Sequence, residues 1–318
     1  MRIFDIFGLS PEIVAHLKNN QLNSREILGA LNWYQLNHFI PSLGKNALDF
    51  IAQLREDEAF LQEETEELQN IEGTREPIHM GAYSLNSLLN GEGLEPNNLY
   101  LFYGQFRTGK SQIAHQVTVN CFRAYQGEET IRVIYIDPER TFRPTRLFDM
   151  SRCQNIDGEA LLRYIELYQP RTIDAFEMIL PQIQEYCEAN PVRLIVIDSI
   201  NHHFREALGD PEISYFQVKR ILKKILKTLQ EIARTLQIPV YITTPVSCTS
   251  KDDVFYEIRP VLGQVLSSYI SHWIFLTEKT AETPDLQTNA RLAYIVKSPN
   301  LPEQVAEFLI ERDGIRDT

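Results

Sequence analysis

The 318-residue sequence has few of the features that would place it on a membrane or outside the cell. It has only four cysteines (Cys121, Cys153, Cys187 and Cys248), with no close pair. That spacing suggests neither a zinc knuckle nor a disulfide framework, and it fits a reducing compartment. Uninterrupted apolar runs such as Leu99–Tyr103 and Leu194–Ile197 are strand-length, far short of the ~20 residues that span a bilayer. The opening MRIFDIFGLSPE has acids and a proline where a secretory signal needs a basic start and a longer apolar core. The protein is expected to stay inside the cell, in the cytoplasm, with no membrane partner. With 43% apolar and 23% charged residues, the composition is that of a globular protein rather than a disordered one.

A net charge of −12 argues at first against a nucleic-acid partner, but it is unevenly spread. Residues 1–55 carry five bases and four acids, whereas residues 56–76 carry nine acids against Arg75 alone. Two-thirds of the net charge therefore lies in one short stretch, EDEAFLQEETEELQNIEGTRE, which reads as a connector. Before it, helix starts at Ser10-Pro11-Glu12 and Asn23-Ser24-Arg25-Glu26 and a last helical stretch from Asn46 to Leu54 predict a small all-helical domain. After it, apolar runs at 99–103, 132–136, 193–197, 239–243, 272–276 and 292–296 alternate with helical patterns. That alternation predicts crossover units on a largely parallel sheet. The expected division is 1–55 helical domain, 56–77 linker and 78–318 α/β core.

The strongest chemical signal is Gly104-Gln105-Phe106-Arg107-Thr108-Gly109-Lys110-Ser111, a phosphate-loop pattern with both glycines, the lysine and the hydroxyl in register. NNLYLFY reads as the strand entering it and SQIAHQVTVNCF as the helix leaving it. In such a loop backbone amides wrap an anion at a helix N-terminus, Lys110 reaches the terminal phosphates and Ser111 ligates magnesium. The alternative is a plain strand-to-helix turn containing glycine. Arg193–Asp198 reads as a buried strand ending in a carboxylate, suited to hold magnesium through water, although strand-end aspartates also cap helices. Glu139, after the strand 132–136, is a candidate general base for the attacking water; the alternative is a solvated loop glutamate.

Val218–Leu229 places apolar residues on one helical face and five cations, among them Lys219 and Arg220, on the other. The two readings are a solvated face and a DNA-facing patch. His202 and His203 invite a metal reading, but with no carboxylate or cysteine seen at ligand spacing they are expected to be loop histidines.

The segments YIDPERTFRPTRL, LIVIDSINHHFRE, RPVLGQVL and KSPNLPEQVAEFLIERDGI, following GQFRTGKSQ, together resemble the RadA recombinases of archaea and their eukaryotic counterparts. The similarity runs collinearly through residues 78–318 and more weakly through 1–55. It implies a RecA-like P-loop ATPase core with a mostly parallel central sheet flanked by helices, preceded by a small all-helical N-terminal domain. It also implies a DNA-dependent ATPase of homologous recombination and repair that uses ATP and Mg2+, binds single-stranded DNA and assembles with itself or another RadA-type recombinase. By position, the resemblance makes Gly104–Gln112 the phosphate cradle, Glu139 and Lys110 catalytic, and Ser111 and Asp198 the magnesium contacts. Arg146 would stack on adenine, and Lys297 and Pro302 would face a neighbouring subunit's ATP. DNA contacts would fall at Arg205, Lys219, Arg220, Lys251, Phe255 and Arg259.

Several departures from the pattern bear on function. Thr243-Thr244-Pro245-Val246 has a proline where the family has a polar side chain linking nucleotide to the second DNA loop, and proline cannot relay a hydrogen bond. Ser268 stands for a histidine, and Lys297 for the aspartate that faces the neighbouring ATP. The first DNA loop, Phe204–Glu212, reads as an acidic turn that repels phosphate. The nearest match to the family's inter-subunit plug, Phe60-Leu61-Gln62-Glu63, has a glutamate in place of alanine, and burying it would be costly. The leading expectation is an accessory paralogue. The alternatives are a self-sufficient recombinase forming filaments, and an ATP-holding regulatory module with no DNA role.

Overall fold

The computed structural model describes residues 75–125, 131–210, 213–247, 259–279 and 289–318. All of them belong to the unit Thr74–Thr318. The expected helical N-terminal domain, the plug match at 60–63, Lys251 and Phe255 lie outside the described residues.

The core is a single sheet. Strands β1 (Leu99–Gly104), β2 (Arg132–Ile136), β3 (Ile165–Tyr168), β4 (Val192–Ile197), β5 (Val240–Ser247) and β7 (His272–Glu278) run parallel in the order β3-β2-β4-β5-β1-β7. Beyond β7 the sheet continues antiparallel through β8 (Ala290–Lys297), β9 (Val305–Glu311) and β10 (Gly314–Arg316). The two-residue β6 (Arg259–Pro260) pairs with β5.

All six positions of β1 are buried. Alternate side chains serve two cores, as the two-residue period of a strand requires. Leu99, Leu101 and Tyr103 pack with α5 (Ile173–Ala189), α6 (His202–Gly209) and α7 (Tyr215–Leu236). Tyr100 and Phe102 pack with α1 (Tyr83–Ser87), α2 (Lys110–Ala124) and the antiparallel strands. A smaller core gathers Leu147 and Met150 of α3 (Pro144–Cys153), Leu161 of α4 (Gly158–Arg163) and Val119 of α2. Helices on both faces are what a parallel sheet needs, since neither face tolerates water.

The expected alternation of strands and helices is present through β7. The run 292–296 lies in β8, which returns antiparallel because the segments joining β7, β8, β9 and β10 contain no crossover helix among the described residues. Strands β3, β9 and β10 were not foreseen as strands. β3 is a four-residue sheet edge without a buried position, and its sequence IELY shows no apolar run.

The C-terminal strands are tied to the start of the core. The backbone N–H of Ile315 donates to Gln116 Oε1 (3.0 Å) on α2. Asp317 accepts from the amides of Tyr83 (2.9 Å) and Ser84 (2.7 Å), capping α1. No helix among the described residues is long and apolar enough to cross a membrane.

Candidate nucleotide site

Because β1, β2, β4 and β5 are parallel, their carboxyl ends share one edge of the sheet. The registers Gly104↔Pro245, Ile136↔Ile197 and Ile197↔Ile242 bring the turns after β1, β2 and β4 side by side. This edge is where ligands bind in open α/β sheets, and it gathers the residues singled out from the sequence.

The loop after β1 requires its glycines. A Cβ at Gly104 would sit 2.2 Å from the Leu276 carbonyl oxygen and 2.8 Å from Thr108 Oγ1. Gly109 has φ +105° and opens α2, which begins without a side-chain cap, so its first amides face outward unclaimed by a cap. Thr108 Oγ1 donates to the Gln105 carbonyl (2.9 Å), and Arg291 Nε of β8 donates to the Arg107 carbonyl (3.0 Å), pinning the loop from both sides. Phe106 is exposed at the tip.

Lys110 Nζ donates to the carbonyls of Gly104 (2.9 Å) and Gln105 (2.7 Å), so the ammonium lies within the loop it follows. Burial pushes its pKa below the ordinary lysine value, opposed by the charges of Asp198 and Glu139. Asp198, at the end of β4, is buried. Its Oδ1 accepts from Thr243 Oγ1 of β5 (2.5 Å), its Oδ2 accepts from Tyr135 Oη (3.4 Å), and the Ser111 hydroxyl also donates to it. Burial raises its carboxyl above the usual range, and the Ser111 and Thr243 hydrogen bonds oppose the rise. Lys110, Ser111, Asp198 and Glu139 are thus brought together.

Glu139 is presented by a turn that Asp137 builds. The buried Asp137 accepts from the amides of Thr141 (2.9 Å) and Phe142 (3.0 Å) and from Gln169 Nε2 (2.9 Å). Glu139 Oε1 accepts from Ser199 Oγ (2.5 Å), the residue after Asp198. Asp137 was not among the expected site residues, although an acid between a strand and Pro138 is a turn signal. His115 is a second residue that sequence reading missed. Its Nδ1 lies 2.5 Å from the Ser111 carbonyl oxygen, its Nε2 accepts from the Arg143 amide (3.4 Å), and its ring stacks on Phe142.

Arg146 of α3 donates through Nε to Gln112 Oε1 (2.6 Å), through Nη2 to the Glu311 carbonyl (2.7 Å) and through Nη1 to the Arg312 carbonyl. It closes the side of the site by clasping α2 to the β9–β10 turn. Lys297 is not brought to this chain's own loop. It pairs with Trp273, which pairs in turn with Leu101, three positions before Gly104. From strand rise and spacing that is roughly 14 Å away. Its Nζ donates to the carbonyls of Ser267 (2.6 Å) and Ile270 (3.1 Å) over the Trp273 ring, and Pro302 lies in the adjoining β8–β9 connection.

Two expectations about the first loop are corrected. Residues 202–209 form the helix α6 rather than a turn, because Phe204 and Ala207 bury into the core on one face. His202 and His203 are therefore helical, and Glu206 lies one turn on, where its carboxylate meets both rings. The ligand spacing judged absent is present.

Arg205 is exposed on α6. On α7, Val218, Ile221, Leu222, Ile225, Leu226 and Leu229 are buried and Lys223, Lys224 and Lys227 exposed, so the amphipathic reading holds. Lys224 pairs with Glu177 (2.7 Å), Lys227 with Glu231 (3.8 Å), and Lys219 sits over the Tyr215 ring, while Arg220 is exposed. Arg259 begins β6.

A parallel sheet with a phosphate loop after its first strand, acids ending two neighbouring strands and an antiparallel extension defines a RecA-like nucleotide-binding core. The sequence pattern of the Rad51 family matches residues 76–318. A DNA repair and recombination protein RadA from Ignicoccus hospitalis is 32% identical over 249 residues, covering 76% of this chain and 72% of the relative. The chain belongs to the Rad51 family, as the resemblance to RadA-type recombinases implied.

Proposed function

We propose that the protein binds ATP with magnesium at the loop 104–111 and hydrolyses it in homologous recombination and DNA repair, as an accessory member of its family. The observation that carries this reading is the convergence of Lys110, Ser111, Asp198 and Glu139 at one sheet edge. The residues fit the ligands. A side chain at Gly104 would clash with Thr108 and the Leu276 carbonyl, so the turn of the loop needs glycine there, and α2 leaves its first amides without a side-chain cap. The Ser111 hydroxyl and the Asp198 carboxylate are hard oxygen donors, the set magnesium prefers.

When bound, magnesium neutralises charge developing on the phosphates. Lys110 moves its ammonium from the loop carbonyls to phosphate oxygens, a short displacement because the donor already lies inside the cradle. Ser111 and Asp198 hold the metal site, the carboxylate directed by Thr243 and Tyr135. Glu139 Oε1 takes the proton of the attacking water and is aimed by Ser199. Arg146, tied to Gln112, covers the side of the site where the base would stack. Lys297 and Pro302, remote from this chain's loop, are available to a neighbouring subunit's nucleotide.

Pro245 supports the accessory role, since it removes a polar relay between the nucleotide and the second loop. Lys110→Ala should abolish magnesium-dependent ATP binding measured by calorimetry, and the wild-type protein alone should exchange strands poorly. Robust strand exchange by the purified protein would overturn the accessory assignment.

One observation favours a self-sufficient recombinase. Asn201 Nδ2 donates to Thr244 Oγ1 (2.8 Å) and to the Val261 carbonyl (2.5 Å), linking the turn after Asp198 to the far end of the second loop without passing through residue 245. Long regular filaments on single-stranded DNA with ATP, seen by electron microscopy, would support that reading.

A further inference from the structure

We propose that His202, His203 and Glu206 form a site for a divalent transition-metal ion of the zinc type at the start of α6. Their donor atoms all lie within 4.8 Å of one another. His203 is oriented: its Nε2 is 2.9 Å from the Pro170 carbonyl oxygen and its Nδ1 is 2.9 Å from Glu206 Oε2. A carbonyl has no proton to give, so Nε2 carries the hydrogen on that side. The neutral ring then turns a lone pair at Nδ1 toward a carboxylate oxygen. Two lone pairs so close require a cation between them, either a second ring proton or a metal ion. A carbonyl on the far nitrogen is also the arrangement that fixes the tautomer of metal-binding histidines.

The other oxygen of Glu206 lies 3.9 Å from His202 Nε2, so one carboxylate faces both rings. Two imidazoles and one carboxylate, with a fourth position open to water, suit zinc or cobalt and not magnesium. Donors around a tetrahedral zinc stand roughly 3.3 Å apart. The wider pairs close by rotation of His202 and Glu206, whose side chains are 36% and 66% exposed, while His203, only 10% exposed, stays fixed.

His202 Nδ1 is also 3.9 Å from Glu139 Oε1. An ion on the far side of that ring sets positive charge beside the carboxylate proposed as the base, and lowers its capacity to take a proton. This effect on turnover rests on the proposed role of Glu139; metal binding does not.

The test uses the full, untagged chain without nucleotide, because ATP chelates zinc. Zinc is titrated by equilibrium dialysis, and cobalt by its visible absorption, in wild type, H203A, E206Q and C153S. The expected result is a saturable site in the wild type that H203A removes, E206Q weakens ~10-fold or more, and C153S, an exposed thiol elsewhere, leaves unchanged. Equal affinity in wild type and E206Q, or no saturable binding to wild type, overturns the site and leaves a proton as the cation. Should H203A fail to fold, E206Q at an exposed position decides. In a separate turnover assay with free zinc held constant by a metal buffer, saturation of the site without inhibition supports the site and counts against Glu139 as the base.

Discussion

At the scale of single residues, the candidate nucleotide site combines carboxylates in opposite environments. Asp198 is buried and held by hydroxyls, whereas Glu139 stands half-exposed on a turn. Glu139→Gln should leave ATP binding intact and lower turnover by ~10²–10⁴-fold, read from binding and steady-state assays side by side. For Asp198 the sign of the pH effect follows from its raised carboxyl. Between the unfolded value and the higher folded one, the native state holds the extra proton, so stability falls as pH rises through that window. Asp198→Asn should therefore raise the melting temperature of the nucleotide-free protein at pH 7.5, with the gain shrinking as pH falls, while magnesium-dependent nucleotide binding is lost. Asn201→Ala should cost ~1–3 kcal/mol in urea denaturation, because the buried Thr244 hydroxyl and the partly buried Val261 carbonyl lose their donor.

At the scale of elements, α7 separates two jobs along one helix. Its buried face packs on the sheet, so Leu222→Ala should destabilise by ~2–5 kcal/mol in denaturant titrations. Arg220→Glu with Lys223→Glu, both exposed, should leave stability within ~0.5 kcal/mol. If the face meets DNA, the same pair weakens single-stranded DNA binding in anisotropy titrations and flattens its salt dependence; unchanged binding assigns the face to solvent. The periodicity of this helix was legible because burial on one side only leaves a 3.6-residue trace. The parallel strands were legible for the opposite reason, since burial on both faces leaves continuous apolar runs. β3 left no such trace because it is a short edge strand with an acid at Glu166. The meeting of the loop 104–111 with Asp198 and Glu139 at one sheet edge could be expected from the loop pattern and the acids at strand ends. Asp137 and His115 could not, because their roles depend on partners such as Gln169 and Arg143 that only folding brings near. The meeting of His202, His203 and Glu206 was hidden by reading a helix as a turn.

At the scale of the whole molecule, buried histidines set the response to acid. Burial holds His115 and His272 below the ordinary histidine value. The unfolded chain therefore takes up protons that the native state refuses, and stability present at neutral pH is lost as pH falls below about 6.5. Melting temperatures by calorimetry should drop between pH 7.5 and 5.5, less so in His272→Gln.

The stitching of the antiparallel strands to α1 and α2 has a consequence in time rather than in space. The bonds from Ile315 to Gln116 and from Asp317 to Tyr83 join residues 199 and 234 positions apart. A ribosome delivers the phosphate loop early but the strands that brace it only about 200 residues later, at ~5–20 residues per second. For ~10–40 s the most diagnostic segment of the chain exists without the partners that hold its shape. A nascent chain that has not yet reached residue 314 therefore carries the signature of the proposed site without the strands that brace it.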